Sequence, residues 1–551
     1  MGHWARTYVL TATLIVASVA AAQTAAQAAE QLELGNRATA MRIYRLLADR
    51  GDAQAQLSVG LLSDDQTERL RWLRLLAEKG NPEAQYNLAV ELSSSDASSP
   101  EAMTWYAKAF TTYLEQGKRG DARAQEEVAF LYDHGPGSML NPAQAATWMQ
   151  QAVDSYRQLA QKGDLAAMEW LTSRDYAGKD DREVQVWRER IVAAHRLAAE
   201  RGSIPDQLWL GDDLRLNDPE AAVTWYTKAA GAGSVVALFR LGELHQELSS
   251  SADNDEQAQE LAGEARTWYA AAAGRGSAAA QVALADMLHQ GEGGIPDLVE
   301  AARLYRLATA EDDGTAAFRL AGLYALGEGV PVDPSEALRL YQVAARRGVA
   351  EGAVQVGLMY AAGEGVTKNV DEAKTWFERA GRFPTPALAV RLGRIYLADD
   401  VIAHDYAEAL RYFNIAAGQP EAQYHLGLMY AEGYGVPVNP SKAVQLWRTS
   451  AEQGFPDAAC QLGQVYAAGN GVGKDYVSAA RWLLNATALE ADVMTAMLYG
   501  TRTCYAEAKF RLGLLYSEGL GVERNMTEAL RWWRAAANQG HEQAAEMLKK
   551  Y

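Results

Sequence analysis

The chain has 551 residues, 49% of them hydrophobic, with 15 prolines and a formal net charge of −18. That length suits several ordinary domains or one long array, since repeat proteins escape the size limit of a single core. Frequent alanine and sparse proline favour helix, and the acidic balance argues against nucleic acid and against adsorption to anionic lipid.

The first element in chain order is an export signal. Met1–Arg6 is short and carries one arginine, and Tyr8–Ala22 is uncharged and mostly apolar. Small residues follow at Ala20–Ala22 and Ala26–Ala28. This order predicts a secretory leader over residues 1–29, cleaved between about 22 and 29. No cysteine follows the apolar run, so a lipid anchor on cysteine is not expected. No later segment is apolar enough to span a bilayer, which predicts a mature chain that is periplasmic or secreted.

Residues 30–276 repeat loosely. AMTWY at 102–106, AVTWY at 222–226 and ARTWY at 265–269 share one marker, and polar insertions interrupt the pattern at Ser93–Pro100 and Ser249–Asp255. Residues 277–540 repeat regularly. Ala301, Ala337, Ala373, Ala409, Ala443, Ala479 and Ala529 each open a five-residue marker ending in an aromatic or leucine, at offsets of 36, 36, 36, 34, 36 and 50. The tyrosines at 324, 360, 396, 430, 466 and 516 keep step. The long last offset places an insertion near 487–501, and residues 541–551 read as a capping helix. In all, 13 units are expected between Asp52 and Gly540, with a half-unit at each end.

Each unit reads as a helical hairpin. In the copy around 316–346, small residues Ala317, Ala321 and Gly322 separate Phe318, Leu320, Leu323 and Tyr324, so a second helix can approach closely. A Gly-x-Gly-Val turn ends the first helix at Gly327. Asp333 caps the second helix, Pro334 takes its first turn and Glu336 completes a capping-box pattern. The aromatic markers recur at fixed phase and are expected in the core. The expected fold is all-α: a right-handed superhelical solenoid of stacked helix–turn–helix repeats.

The pattern A-x-x-x-L-G-x-x-Y-x-x-G-x-G-V…(D/N)-x-x-x-A-x-x-(W/Y)-x-x-A-A-x-x-G resembles the Sel1-like repeat family, relatives of the tetratricopeptide repeat. Pro420–Gly454 and Tyr505–Gly540 match it closely, and weaker matches reach back to Asp52. The resemblance implies an adaptor that binds proteins, such as those of exopolysaccharide secretion, cell-wall turnover, envelope signalling or quality control. Gly35–Gln56 is similar to the openings of alginate-export scaffolds of this class, though those usually carry the lipidated cysteine that this chain lacks.

Residues for chemistry are sparse. The eight histidines (3, 134, 195, 245, 289, 404, 425 and 541) form no HExxH motif, and there is no Cys-x-x-Cys. The Gly-x-Gly turns follow helices rather than strands, so they are turns and not phosphate loops. Paired aspartates such as Asp64-Asp65 and Asp399-Asp400 read as solvated loops. No catalytic residue, metal site or cofactor is expected. Cys460 and Cys504 are the only cysteines; the first occupies a core phase and the second precedes a first helix, so in an oxidising compartment they are candidates for a disulfide.

First helices of such hairpins are expected to line the concave side. One variable position there gives a ladder of Arg240, Arg319, Gln355, Arg391, His425, Gln461 and Arg511. These donors suit a carboxylate-bearing partner, either an acidic peptide or an acidic polysaccharide. The functional expectation is a non-catalytic periplasmic scaffold in an envelope assembly, foremost exopolysaccharide (alginate-like) biosynthesis and export. The alternatives are a regulator or inhibitor of an envelope enzyme or sensor kinase, and a hydrolase of cell-wall peptides or β-lactams.

Overall fold

The computed structural model describes residues 25–95, 99–174, 176, 179–398, 401–491 and 503–551. The leader up to residue 24, Asp399-Asp400 and most of the expected insertion near 487–501 lie outside the described residues. Among the described residues every regular element is a helix. Between Asp52 and Gly540 the helices follow one another as 13 pairs, from Ala53–Leu62 with Gln66–Glu78 to Thr503–Glu518 with Met526–Asn538. The C-terminal remainder is one helix, Glu542–Lys550. At the other end the expectation of a half-unit is corrected, because residues 25–33 form a helix that completes a pair with Arg37–Asp49. The chain divides into two compact units, one ending at Val332 and one running from Asp333 to Tyr551.

A glycine–aromatic lock holds six of the pairs together. The first helix carries a glycine at the point where the second helix lays down its ring. A Cβ on Gly513 would come within 2.3 Å of the Trp533 indole, and one on Gly427 within 2.4 Å of Trp447. Gly357 and Phe377, Gly393 and Phe413, Gly211 and Tyr226, and Gly242 and Tyr269 repeat the arrangement. The rings are buried as expected: Trp533, Tyr226, Phe377 and Phe413 are fully enclosed. Two indoles also gain a partner across the pair. Trp447 donates to the Tyr424 carbonyl at 3.1 Å and Trp533 to the Phe510 carbonyl at 3.2 Å.

The Gly-x-Gly turn both stops a helix and seats one repeat on the last. Gly363 ends its helix in the left-handed region at φ +83°. Gly365 lies so close to the preceding second helix that a Cβ would sit 2.5 Å from the Pro334 carbonyl carbon and oxygen. The caps form as read: Asp333 accepts from the Ser335 and Glu336 amides, and Asn369 from Glu372. The glutamates three residues into these helices also pair forward, Glu336 with Arg339 and Glu408 with Arg411. In the looser repeats a buried glutamine does similar work. Gln56, Gln85, Gln125 and Gln207 each donate to the carbonyl eight residues back, at 2.9–3.0 Å.

The first unit turns back on itself. Ala279 N donates to the Leu34 carbonyl at 3.0 Å, Ala278 N to the Asn36 side chain at 3.0 Å, and the buried Ser277 hydroxyl to Leu34 at 3.2 Å. Both carboxylate oxygens of Glu311 are used at Thr39, one by its amide at 3.0 Å and one by its hydroxyl at 2.9 Å. Gly35 at φ +77° permits this approach, since a Cβ there would stand 2.8 Å from Ala279 N. The opening helix pair thus docks on the repeat that begins at Ser277.

Gly513→Ala should cost about 1–3 kcal/mol by overpacking against Trp533. Gly231→Ala, at a helical end with open space around it, should not destabilise. Urea unfolding of both variants checks the pair.

Candidate functional site

The ladder residues all lie on first helices, one position before a core leucine or valine. Arg240 bonds Glu243 at 2.9 Å and lies 3.7 Å from Asp212 of the preceding first helix. Arg319 repeats this across one repeat, 3.4 Å from Asp286. The aspartate in each case also receives a buried tyrosine hydroxyl, Tyr226 on Asp212 at 2.7 Å and Tyr305 on Asp286 at 2.5 Å. Burial, with the carboxylate beside it, pushes both phenols well above their usual range. Arg240 and Arg319 therefore staple neighbouring repeats. Arg511 is likewise engaged, by Glu507 at 2.5 Å, and Glu507 also meets His541 at 2.9 Å. Burial would raise the Glu507 carboxyl, but His541 and Arg511 outweigh it and hold it below the ordinary value.

His425 stacks on Phe413 with ring centres 4.9 Å apart and meets Tyr424 edge-on at 5.2 Å. Gln461 lies near Tyr424, whose hydroxyl burial pushes up to about 12. Gln355 is half-buried. Arg391 differs from the other arginines, because among the described residues it has no ion-pair or hydrogen-bond partner. The register explains why. The position three residues past the preceding ladder residue is Asp212 for Arg240 and Asp286 for Arg319, but Leu358 for Arg391. Arg391, Arg394 and Leu358 line a cavity of about 450 Å³ within the second unit. Arg394 pairs with Glu421 at 3.3 Å and is well exposed.

The same register, carried back through the first unit, gives Asn87, Glu127, Trp170 and Trp209. The ladder expected from the sequence begins at Arg240 and omits these positions. Their signal was present, since Trp209 precedes Leu210-Gly211 as Arg240 precedes Leu241-Gly242.

One cluster looks at first like catalytic machinery. His195 is buried, with Nδ1 2.7 Å from Asp206 and Nε2 3.3 Å from Glu169, and its ring stacks on Trp209. Ser203 donates to Asp206, not to the imidazole. Both ring nitrogens face carboxylates, so neither is placed to take a proton from the serine, and the nucleophile–base arrangement is lacking. No group of three or more metal-binding side chains occurs among the described residues. No helix among them is long and apolar enough to cross a membrane.

Comparison with known proteins fits this geometry. The Sel1 repeat pattern matches ten stretches: 82–110, 122–155, 192–234, 278–313, 314–349, 350–382, 386–419, 420–455, 456–489 and 506–541. The chain belongs to the Sel1 repeat family. Sel1 repeats are in general non-catalytic modules for protein–protein interaction. Among solved structures, the chain is similar to a protective antigen of uropathogenic Escherichia coli displaying an SLR fold. The two are 26% identical over 84% of this chain and 96% of that one, with a TM-score of 0.44. A Sel1 repeat protein from Oxalobacter formigenes is 28% identical over 58% of this chain and 90% of that one, with a TM-score of 0.43. No curated protein matches.

The two candidate disulfide cysteines are neighbours. Cys460 is buried and its thiol donates to the Cys504 carbonyl at 3.4 Å; both are free thiols in this structure. Burial and the neighbouring Cys460 push the Cys504 thiol far up, so it is a poor nucleophile while both are reduced. Incubation with oxidised glutathione should nevertheless join the pair slowly. Intact mass spectrometry should then show the loss of two hydrogens, which Cys504→Ser should abolish.

Proposed function

We propose that this chain is a non-catalytic periplasmic scaffold that captures an acidic segment of a partner protein in an envelope assembly, with exopolysaccharide export as the foremost setting. The observation that carries the reading is the uncompensated Arg391. Other ladder arginines are neutralised by carboxylates of the chain itself, and at this repeat Leu358 stands where the neutralising aspartate would be. A half-buried guanidinium without a partner beside an apolar wall suits a carboxylate that brings its own aliphatic stem. Arg394 lines the same cavity and is paired with Glu421, which leaves Arg391 as its unpaired cation.

The export part of the proposal rests on the residues before 23, and the packing of Ala28 supports their removal after Ala22. Ala28 is fully buried against Met41, Tyr44 and Leu47, in a helix that begins at residue 25. Cleavage after Ala28 would discard this packing, whereas cleavage after Ala22 preserves it.

The charge-reversed double variant Arg391→Glu/Arg394→Glu should fold normally by circular dichroism. It should capture an acidic partner from crosslinked envelope roughly tenfold less well. Undiminished capture would refute the site, and capture of an acidic polysaccharide in place of a protein would redirect it. Amino-terminal sequencing of the exported protein should begin at Gln23.

A further inference from the structure

The first unit encloses a cavity of about 660 Å³ that the arginine ladder does not account for. One wall is the opening helix, residues 25–33, which presents Glu30 and Glu33 one turn apart. The facing wall comes from the helices Ile204–Leu214 and Val235–Ser250, and it is largely apolar: Pro205, Leu208 and Trp209. The Trp209 indole is held in place from behind, its ring 3.8 Å from that of His195 and nearly parallel to it. Its position in the cavity lining leaves it available to an occupant.

The charge of this cavity is the reverse of what the ladder predicts. Glu30 and Glu33 have no ion-pair or hydrogen-bond partner among the described residues. Arg240, the cation in the lining, is already engaged by Glu243 and Asp212. An anion would therefore meet two unpaired carboxylates and a neutralised guanidinium. A cation would meet two free carboxylates and an indole, a combination that attracts ammonium and guanidinium groups from two sides. The apolar wall and the volume favour a chain with an aliphatic stem over a bare ion.

The preceding repeat carries a related arrangement. Trp170 holds the ladder position there and lines a separate cavity of about 430 Å³ together with Phe130, Glu126 and Asp133. Its indole is stacked on Tyr156 at 4.1 Å and donates to Glu126 at 2.9 Å. Arg174 lies 3.6 Å from Glu126, and Asp133 lies 3.4 Å from the His134 imidazole. Two successive repeats thus pair a ladder tryptophan with acidic side chains.

We propose that the cavity between residues 25–33 and Trp209 is a docking site for a basic, extended peptide segment of a partner protein, with a lysine or arginine side chain seated between Glu30, Glu33 and the indole. This site is independent of the Arg391 reading: it lies in the other unit and takes the opposite charge. Either can fail without the other.

The test uses the full chain and a fluorescein-labelled hexapeptide alternating lysine with leucine, capped at both ends, followed by anisotropy. The peptide should bind, more weakly as salt rises, while a glutamate–leucine counterpart should not. Glu30→Gln/Glu33→Gln, which leaves the helix and its buried face intact, should weaken binding about tenfold. Trp209→Phe should weaken it less than Trp209→Ala, and Glu546→Gln, an exposed change in the second unit, should leave it unchanged. Circular dichroism confirms folding of each variant. Equal binding by the double glutamine variant would overturn the proposal. So would equal binding of the acidic peptide, or displacement of the basic one by tetramethylammonium at matched concentration, which would mark a small-cation site.

Discussion

The closeness of two helices at one point, a ring laid on a glycine, sets the geometry of the hairpins that carry it. At Gly427 and Gly513 there is no room for even one methyl group beside the indole. The distance between the helices is therefore decided by a missing side chain and a large flat one. The second glycine of each turn applies the same principle between repeats, with backbone resting on backbone at Gly365 and Gly329. Close packing of this kind tolerates little change in volume, which keeps successive hairpins in register.

With the packing faces so constrained, function has to lie in positions the stack leaves free, and the ladder is the clearest of these. Its residues occupy one phase yet differ in chemistry along the chain. In the first unit the phase runs through Glu127, Trp170 and Trp209; in the second it runs through Gln355, Arg391, His425 and Gln461. A guanidinium at this position is structural when an aspartate stands three residues past the previous rung, and is released when a leucine stands there. Asp286 and Leu358 differ in that single respect. One scaffold can so present opposite charges at different repeats without altering its core.

Much of this was readable from residue order because it is local. The period, the caps at Asp333 and Asn369, the left-handed glycines and the burial of the marker rings all depend on residues within one hairpin. The ladder was readable as a set of residue types but not as a set of partners. Whether Arg240 is free depends on Asp212, on another helix, and only alignment of one repeat on the next reveals it. Residues 25–29 fall within the expected leader, since an alanine-rich apolar stretch suits both a leader and a helix, and composition does not encode the burial of Ala28 in the cluster that holds Tyr44. The docking of Leu34 on Ala279 was illegible for the same reason, since no periodic signal connects residues so far apart.

That long-range docking also bears on how the first unit is made. Hairpins close from neighbouring residues and can form as soon as they are synthesised. The clasp at Thr39 waits for Glu311, 272 residues later, and the one at Leu34 waits for Ser277, 243 residues later. The helices of the first pair can thus take their final place only after Ser277 and Glu311 have been made. Until then the edge of the first pair stays open to chaperones or to whatever else binds an unfinished stack.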